Sequence, residues 1–297
     1  MATPTSTADA AQVTLREAGP GDIEACARIC FEAFGAIQDH HRFPRDFPAV
    51  EAATALMEAW IPHPSVWGVV AEIDGRVVGS NFLDERDAIR GVGPITVDPE
   101  RQDSGVGRKL MEAVIERGKG SSGIRLLQDG FHMRSLALYT SLGFDVKEPA
   151  VVMNGKPRSG PVTGIEVKPL RADDIDECAA LCRKVYGFER TQELQDALQG
   201  PFEPFVATRD GKVTAYASML TFWPMAHGVV SSDEDMHALL LGAAARIDGP
   251  VALLAPLRWD LFRWCRAEGL RFIKPMNLMA RGEYHEPSGA WFPSVIY

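Results

Sequence analysis

Apolar and polar residues follow one another along the first half of the chain with two different periods. Segments 66–73 and 76–83 have the alternation of half-buried β-strands, and Asp74-Gly75 between them is typical of a hairpin turn. Other segments have apolar residues three and four positions apart, as amphipathic helices do. The predicted helices are 22–34, 50–60, 104–117 and 133–142. The predicted strands are 13–18, 66–73, 76–83, 92–98, 123–128 and 144–153. Both periods together predict an α/β fold in which helices flank a mixed, mostly antiparallel sheet.

The second half of the chain repeats the first. Residues 22–30 read Asp-Ile-Glu-Ala-Cys-Ala-Arg-Ile-Cys, and residues 174–182 read Asp-Ile-Asp-Glu-Cys-Ala-Ala-Leu-Cys. The hairpin signal Asp74-Gly75 likewise returns as Asp210-Gly211. Two copies of one fold explain this self-similarity better than a solenoid does, because solenoid repeats are much shorter.

The length of the chain agrees with this duplication, since 297 residues suit about two domains of ~150 residues. We expect one domain at 13–153 and a second at 165–297. Residues 154–164 are rich in Gly, Pro, Lys and Ser and are the expected linker. Residues 1–12 are rich in Ala, Thr and Ser, and we expect a disordered tail there and no signal peptide.

Charge and composition exclude several classes of function. The formal net charge of −9 argues against a nucleic-acid partner. No apolar stretch reaches the ~18 residues of a membrane helix, so no membrane partner is expected. Four of the five cysteines form i, i+4 pairs on predicted helices, which predicts small buried residues in a reducing cytoplasm and no disulfides. No residues have the spacing of a metal site, so no metal is expected.

The most informative local feature is the segment 94–111, which reads as a strand, a polar turn and a helix. Within it, Gln102-x-x-Gly105-x-Gly107 falls where the helix begins. A helix start offers unpaired N–H groups and the positive end of the helix dipole, and therefore attracts anions. Glycines let an anion approach the backbone closely, and Arg108 adds positive charge. The segment thus predicts an anion site.

This segment resembles a motif of the GCN5-related N-acetyltransferases (GNAT). Residues 97–110 have the pattern VxPxxQxxGVGxxL, which is similar to the motif that binds the pyrophosphate of acyl-CoA in that family. Residues 135–144, with the pattern SxxLYxxLGF, resemble the late helix and strand of the same family. The resemblance covers about 13–153, and 165–297 resembles a degenerate copy. The whole chain therefore resembles a tandem GNAT protein.

The resemblance implies that acetyl-CoA is the acyl-donor cosubstrate. Its pyrophosphate would lie on the N–H groups of the glycine turn, and its pantetheine arm would lie along the strand before the turn. His132 stands where the family often has an asparagine that contacts this arm, and an imidazole can still donate a hydrogen bond. The residues expected to bind the donor are Ile95, Thr96, Val97, Gln102, Asp103, Ser104, Gly105, Val106, Gly107, Arg108, His132 and Ser135.

The resemblance also implies catalytic residues. Tyr139 matches the family's general acid, which protonates the leaving thiolate. The family's usual glutamate base has no clear match, because 91–97 reads Gly-Val-Gly-Pro-Ile-Thr-Val. Asp84 and Glu85, at the end of the preceding strand and with Asp87 close by, are the candidate bases for an amine that arrives protonated.

The second copy has lost both features. Acids occupy 233–235 where the glycine turn would be, and they would repel a pyrophosphate. Cys265 stands in the place of Tyr139. We therefore expect one donor site per chain, in the first copy.

The resemblance implies an acyl-CoA-dependent N-acyltransferase that moves an acetyl group from acetyl-CoA to a small primary amine by direct transfer in a ternary complex. The expected partner is this small-molecule amine, and the expected protein is a cytoplasmic monomer or homodimer. Two alternatives stay open. The degenerate copy and the missing glutamate favour a non-catalytic acyl-CoA-binding or regulatory module. A CoA-thioester lyase or decarboxylase on the GNAT fold would keep the pyrophosphate turn without needing an amine.

Overall fold

The computed structural model describes residues 12–296, and the predicted tail lies outside them except for Gln12. The described chain contains both helices and strands in each repeat. The helices are α1 (Ile23–His41), α2 (Val50–Trp60), α3 (Val106–Arg117), α4 (Met133–Ser141), α5 (Ile175–Tyr186), α6 (Thr191–Gln199), α7 (Asp233–Ala244) and α8 (Leu261–Ala267). The strands are β1 (Thr14–Glu17), β2 (Val66–Ile73), β3 (Arg76–Asp84), β4 (Ile89–Val92), β5 (Thr96–Val97), β6 (Gly123–Asp129), β7 (Asp145–Gly155), β8 (Glu166–Pro169), β9 (Phe205–Arg209), β10 (Lys212–Ala217), β11 (Gly228–Val230), β12 (Val251–Pro256), β13 (Arg271–Gly282) and β14 (Trp291–Phe292).

The predicted elements of the first half agree with these bounds, with two differences. Helix α1 continues to His41, whereas the sequence predicted an end at 34. Gly35 lies inside the helix, where a Cβ atom would be only 3.1 Å from Cζ of Arg45. The missing side chain therefore makes room for a guanidinium group and does not end the helix.

The second difference is the strand predicted at 92–98, which is interrupted. β4 ends at Val92 and β5 begins at Thr96. Gly93 between them has φ of +130°, a conformation that L residues with a side chain rarely adopt, and Pro94 follows it. The chain thus leaves the strand conformation just before the predicted pantetheine strand.

By its contacts the chain divides into two compact units, one of residues up to 82 with 94–117, the other of 83–93 with the residues from 118 onward. In the first unit, strands follow the order β1-β2-β3, and β5 pairs with β3. The helices α1, α2 and α3 belong to the same unit. Its core includes Cys26, Met57 and Leu110, and Trp60 meets Phe82 edge to face with ring centroids 6.0 Å apart.

The second unit contains strands from both sequence repeats in one sheet. Their order is β4-β6-β13-β7-β12, with a parallel β4–β6 pair and antiparallel pairs elsewhere. Strand β13 lies between β6 and β7: Met276 pairs with Asp129 on one side and with Ala150 on the other. A second, antiparallel sheet has the order β14-β11-β10-β9-β8. These sheets, with their flanking helices, confirm the predicted α/β fold class.

The predicted domain boundaries stay a prediction. Residues 156–165 contain no helix or strand, in keeping with a connecting segment, while β7 takes in the first two residues of the expected linker. The division by contacts does not fall at this segment, because strand β13 from the second repeat pairs with two strands of the first.

The internal repeat is visible in local geometry. Asp74 and Asp210 have φ of 52° and 51°, and the glycines that follow have φ of 72° and 75°. Each repeat also has an ion pair that fixes the start of its first long helix, Arg16–Asp22 at 2.7 Å and Lys168–Asp174 at 3.1 Å. All five cysteines are buried and free, which includes the four whose i, i+4 spacing predicted burial.

Candidate functional site

The glycine turn lies in the first unit and leads directly into α3. A carboxylate oxygen of Asp98 accepts the N–H of Glu100 at 3.0 Å and fixes the short 3-10 turn Pro99–Arg101. Gly105 has φ of +83°, and its carbonyl oxygen accepts the N–H of Lys109 at 3.2 Å. The hydrogen bond to the Gly105 carbonyl thus closes the first turn of α3. The positive φ of Gly105 directs the chain from the polar turn into the helix.

The turn is open to solvent on one side and anchored on the other. Residues 101–105 are exposed, whereas Val106, the first residue of α3, is buried. Arg108 lies on the exposed side, with Glu112 at 3.9 Å. The first N–H groups of an α-helix have no partner within the helix. The arrangement therefore presents backbone donors and one guanidinium, which suits a pyrophosphate.

The predicted pantetheine segment 95–97 is held against β3. Gly79 pairs with Val97, and a Cβ atom at Gly79 would lie 2.7 Å from the carbonyl oxygen of Thr96. The hydroxyl of Thr96 is buried, 3.3 Å from that of Ser80. The side-chain amide of Gln102 donates to the carbonyl of Val97 at 3.5 Å and links the strand to the turn. In the first unit the structure thus brings all predicted residues from Ile95 to Arg108 into one continuous feature.

Tyr139 lies on α4 in the second unit and is buried. Its ring meets that of Phe144 at 6.4 Å between centroids. Burial, together with the negative charge of Asp129, raises the pKa of Tyr139 well above its usual range. The phenol is therefore fully protonated at neutral pH, which is the state that a general acid needs.

His132 and Ser135 belong to the first turn of the same helix. His132 occupies the N-cap position without capping the helix through its side chain, and its N–H donates to the carbonyl of Asp129 at 2.8 Å. The hydroxyl of Ser135 donates to the carbonyl of His132 at 2.8 Å. The side-chain amide of Gln128 donates to that same carbonyl at 2.9 Å and to Ser135 Oγ at 3.1 Å. Ser135 thus has two partners within the protein.

Asp84, one of the two predicted bases, is buried at the end of β3. Both of its carboxylate oxygens accept hydrogen bonds from the guanidinium of Arg86, the shortest at 2.7 Å. The same guanidinium donates to Asp196 at 3.0 Å. Both oxygens of Asp84 are thus engaged in charge-assisted hydrogen bonds within the protein.

Glu85, the other predicted base, borders an open cavity of about 560 Å³. The cavity lies within the second unit and is lined by Glu85, Arg86, Asp87, Ala88, Arg90, Glu189 and Thr191. Arg90 donates to the backbone carbonyl of Asp87 at 2.7 Å and shapes the hairpin between β3 and β4. Burial raises the pKa of Asp87 to about 6, and the positive charge of Arg190 opposes this shift. The sequence indicated Asp87 only as a neighbour of the candidate bases Asp84 and Glu85, because the burial of Asp87 depends on residues of the second repeat.

In the described part of the second repeat, the matching helix start differs from the glycine turn. At the N-terminus of α7, the hydroxyl of Ser232 accepts the N–H of Asp235 at 3.2 Å, so a side chain already caps this helix. Cys265, in the place of Tyr139, is buried on α8, and burial raises its pKa to about 12. Both observations agree with the expectation that only the first repeat binds the donor.

Between residues 12 and 296 the structure places no three His, Cys, Asp or Glu side chains where they could hold a metal ion. Within the same range, no helix is both long enough and apolar enough to cross a membrane.

Comparison with known proteins agrees with the site. Residues 63–146 match the model of the acetyltransferase (GNAT) domain family. A mycothiol acetyltransferase of Clavibacter michiganensis subsp. michiganensis is 27% identical over 208 residues, which cover 59% of this chain. The chain spans 63% of the length of that relative.

Two solved structures are similar over nearly the whole chain. A protein of Pyrococcus horikoshii has a TM-score of 0.72 at 16% identity, covering 100% of this chain and 98% of its own. A tandem GNAT protein from the clavulanic acid biosynthesis pathway has a TM-score of 0.55 at 11% identity, covering 91% of this chain and 98% of its own. At these identities the likeness shows the tandem fold alone. The family match shows an acetyltransferase (GNAT) domain at residues 63–146, within a chain whose fold is similar to that of a tandem GNAT protein.

Proposed function

We propose that the chain transfers an acetyl group from acetyl-CoA to a small primary amine, by direct transfer in a ternary complex. The observation that carries the proposal is the glycine turn. Gly105, with φ of +83°, opens the start of α3 to an anion, and Arg108 adds a positive charge. At the matching helix start in the second repeat, Ser232 caps the N–H of Asp235, and the first turn is acidic at 233–235. A donor site that depends on the glycine turn therefore exists once per chain.

Bound acetyl-CoA supplies a thioester, in which the carbonyl carbon is open to attack and the thiolate can leave. Tyr139 donates a proton to the departing sulfur, and its phenol is protonated at neutral pH. The N–H groups from Gln102 to Gly107 hold the pyrophosphate, and Ile95 to Val97 orient the arm. His132 donates a hydrogen bond to the same arm.

The proton of the attacking ammonium goes to a carboxylate of the β3–β4 hairpin. Asp84 and Glu85 are the candidates from the sequence; Glu85 borders the open cavity, whereas both oxygens of Asp84 accept hydrogen bonds from Arg86. Asp87 joins Glu85 at the cavity, and its pKa of about 6 suits proton exchange near neutral pH. Direct transfer is favoured over a cysteine intermediate because burial raises the pKa of all five thiols.

The test is calorimetry with acetyl-CoA, followed by an assay of free thiol release with a panel of small primary amines. We expect one acetyl-CoA per chain and amine-dependent thiol release. Binding without thiol release for any amine would support a non-catalytic acyl-CoA module instead. Carbon dioxide release from malonyl-CoA without an amine would support a decarboxylase. Absence of acetyl-CoA binding would contradict the proposal.

A further inference from the structure

Strand β13 of the second repeat lies next to the strand that leads into α4. In the antiparallel pairing of β13 with β6, Asn277 lies opposite Gln128 and Met276 lies opposite Asp129. Beyond the end of this ladder, the N–H of Gly130 donates to the carbonyl of Pro275 at 2.9 Å. The backbone between β6 and α4 is therefore held by β13.

One side chain of β13 reaches the first turn of α4 through a relay. The amide of Asn277 donates to the side-chain oxygen of Gln128 at 2.8 Å. This fixes the orientation of the Gln128 amide, whose nitrogen donates to the carbonyl of His132 and to Ser135 Oγ. If Gln128 were free to turn over, its oxygen would face the His132 carbonyl, and two acceptors would repel. Asn277 thus selects the orientation of the Gln128 amide that hydrogen-bonds the first turn of α4.

A second side chain of β13 forms a buried ion pair at the same place. The ammonium nitrogen of Lys274 lies 2.7 Å from Oδ1 of Asp129, and the two residues are only 2% and 9% exposed. The indole of Trp223 covers the ammonium, with 4.8 Å from the nitrogen to the ring centroid. The carbonyl of Asp129 accepts the N–H of His132. The ion pair therefore fixes the residue on which the N-cap of α4 rests.

We propose that Lys274 and Asn277 are positioning residues for acetyl transfer: they hold the first turn of α4 and so place Tyr139, which lies two turns further along the helix. The inference rests on the proposed function, in which Tyr139 protonates the leaving thiolate. It gives the degenerate repeat a role in the reaction, because both residues lie on a strand of the second repeat. Neither residue touches the reacting atoms in this role.

Lys274 has an electrostatic effect as well as a geometric one. The charge of Asp129 is one of the causes that raise the pKa of Tyr139. The ammonium of Lys274, at ion-pair distance from Asp129, balances that charge. Removal of the ammonium leaves Asp129 uncompensated. The phenol of Tyr139 then holds its proton more tightly and becomes a weaker acid toward the thiolate.

The experiment compares K274M and N277A with K168M. Lys168, on β8 of the same unit, forms a partly buried pair with Asp174, so K168M is a control that also loses a lysine–aspartate pair. We expect kcat for thiol release to fall about tenfold or more in K274M and N277A, the effect of losing roughly one hydrogen bond in the transition state. KM for acetyl-CoA should change less than about twofold, K168M should keep its kcat, and K274R should recover part of the loss.

Amide hydrogen exchange in the first turn of α4 gives a second readout that needs no activity. We expect faster exchange there in K274M and N277A and unchanged exchange in K168M. If K274M does not fold, N277A decides, since it removes a neutral hydrogen bond from a partly buried residue. Folded variants with wild-type kcat and wild-type exchange would overturn the inference. If the wild-type chain transfers no acetyl group, the proposed function fails, whereas the exchange data still decide whether β13 holds α4.

Discussion

Gly91 on β4 lies directly against Ile296. A Cβ atom on Gly91 would be 2.1 Å from the carbonyl oxygen of Ile296, well inside van der Waals contact. The segment around Ile296 is itself fixed, because the N–H of Val295 donates to the carbonyl of Pro224 at 2.7 Å and Ser294 accepts a hydrogen bond from Arg190 at 3.0 Å. The backbone of β4 therefore packs directly on the backbone of 294–296, and moving either segment would cost free energy of folding.

Replacement of Gly91 by alanine should therefore destabilise the protein. The added methyl group must displace the 294–296 segment or distort β4, and overpacking of this kind costs about 1–3 kcal/mol. The measurement is the urea midpoint of G91A against wild type. G160A is the matched control, because a Cβ at Gly160 meets nothing within 4 Å. Equal midpoints for G91A and G160A would show that the two segments are not in contact.

Alanine at Gly105 should weaken acetyl-CoA binding. Gly105 has φ of +83°, where a side chain costs roughly 1–2 kcal/mol, so the turn relaxes and its N–H groups change direction. We expect Kd for acetyl-CoA, measured by calorimetry, to rise about tenfold. G75A has the same backbone penalty at φ of +72° in the hairpin of the same unit. It should lose similar stability and keep its Kd; a similar rise in both variants would point to general destabilisation instead.

The variant Y139F should lose turnover and keep donor binding. Phenylalanine preserves the buried ring and its packing on Phe144 but has no proton to donate. General-acid catalysis contributes typically 10²–10⁴-fold, so we expect kcat for thiol release to fall at least about 100-fold with little change in Kd for acetyl-CoA. Y186F removes another buried phenol, on α5 of the second repeat, and should be as active as wild type. A Y139F enzyme with normal kcat would remove Tyr139 from the mechanism.

Most of the structure that the sequence predicted correctly depends on patterns that extend over only a few residues. The Asp-Gly pairs alone indicated both hairpin turns, since few residues adopt positive φ without strain. The apolar spacing of 50–60 predicted the bounds of α2, and the glycine pattern predicted the turn at the start of α3. In each case the conformation is determined by interactions between residues that are close in sequence.

What the sequence could not predict depends on strand pairing between distant segments. Asn277 and Gln128 are 149 residues apart, and only the register of β13 against β6 brings them together. The sequence also did not predict that β13 lies between β6 and β7, because the hydrophobic pattern of a strand does not determine which strands pair with it. Asp84 shows an intermediate case. Its partner Arg86 is two residues away, yet the hairpin that turns the guanidinium back onto the carboxylate appears only in the fold.

The pH dependence of acetyl transfer should report Asp87. Burial raises its pKa to about 6, so the carboxyl is protonated below that pH and becomes a proton acceptor above it. If Asp87 takes the proton of the amine, kcat/KM for the amine should rise through an apparent pKa near 6, and D87N should lose this rise. E189Q is the control: Glu189 lines the same cavity, but a hydrogen bond from Arg183 lowers its pKa, so it is ionised throughout the range. A rise near pH 6 that persists in D87N would assign the base to another group, with Glu85 the first to test.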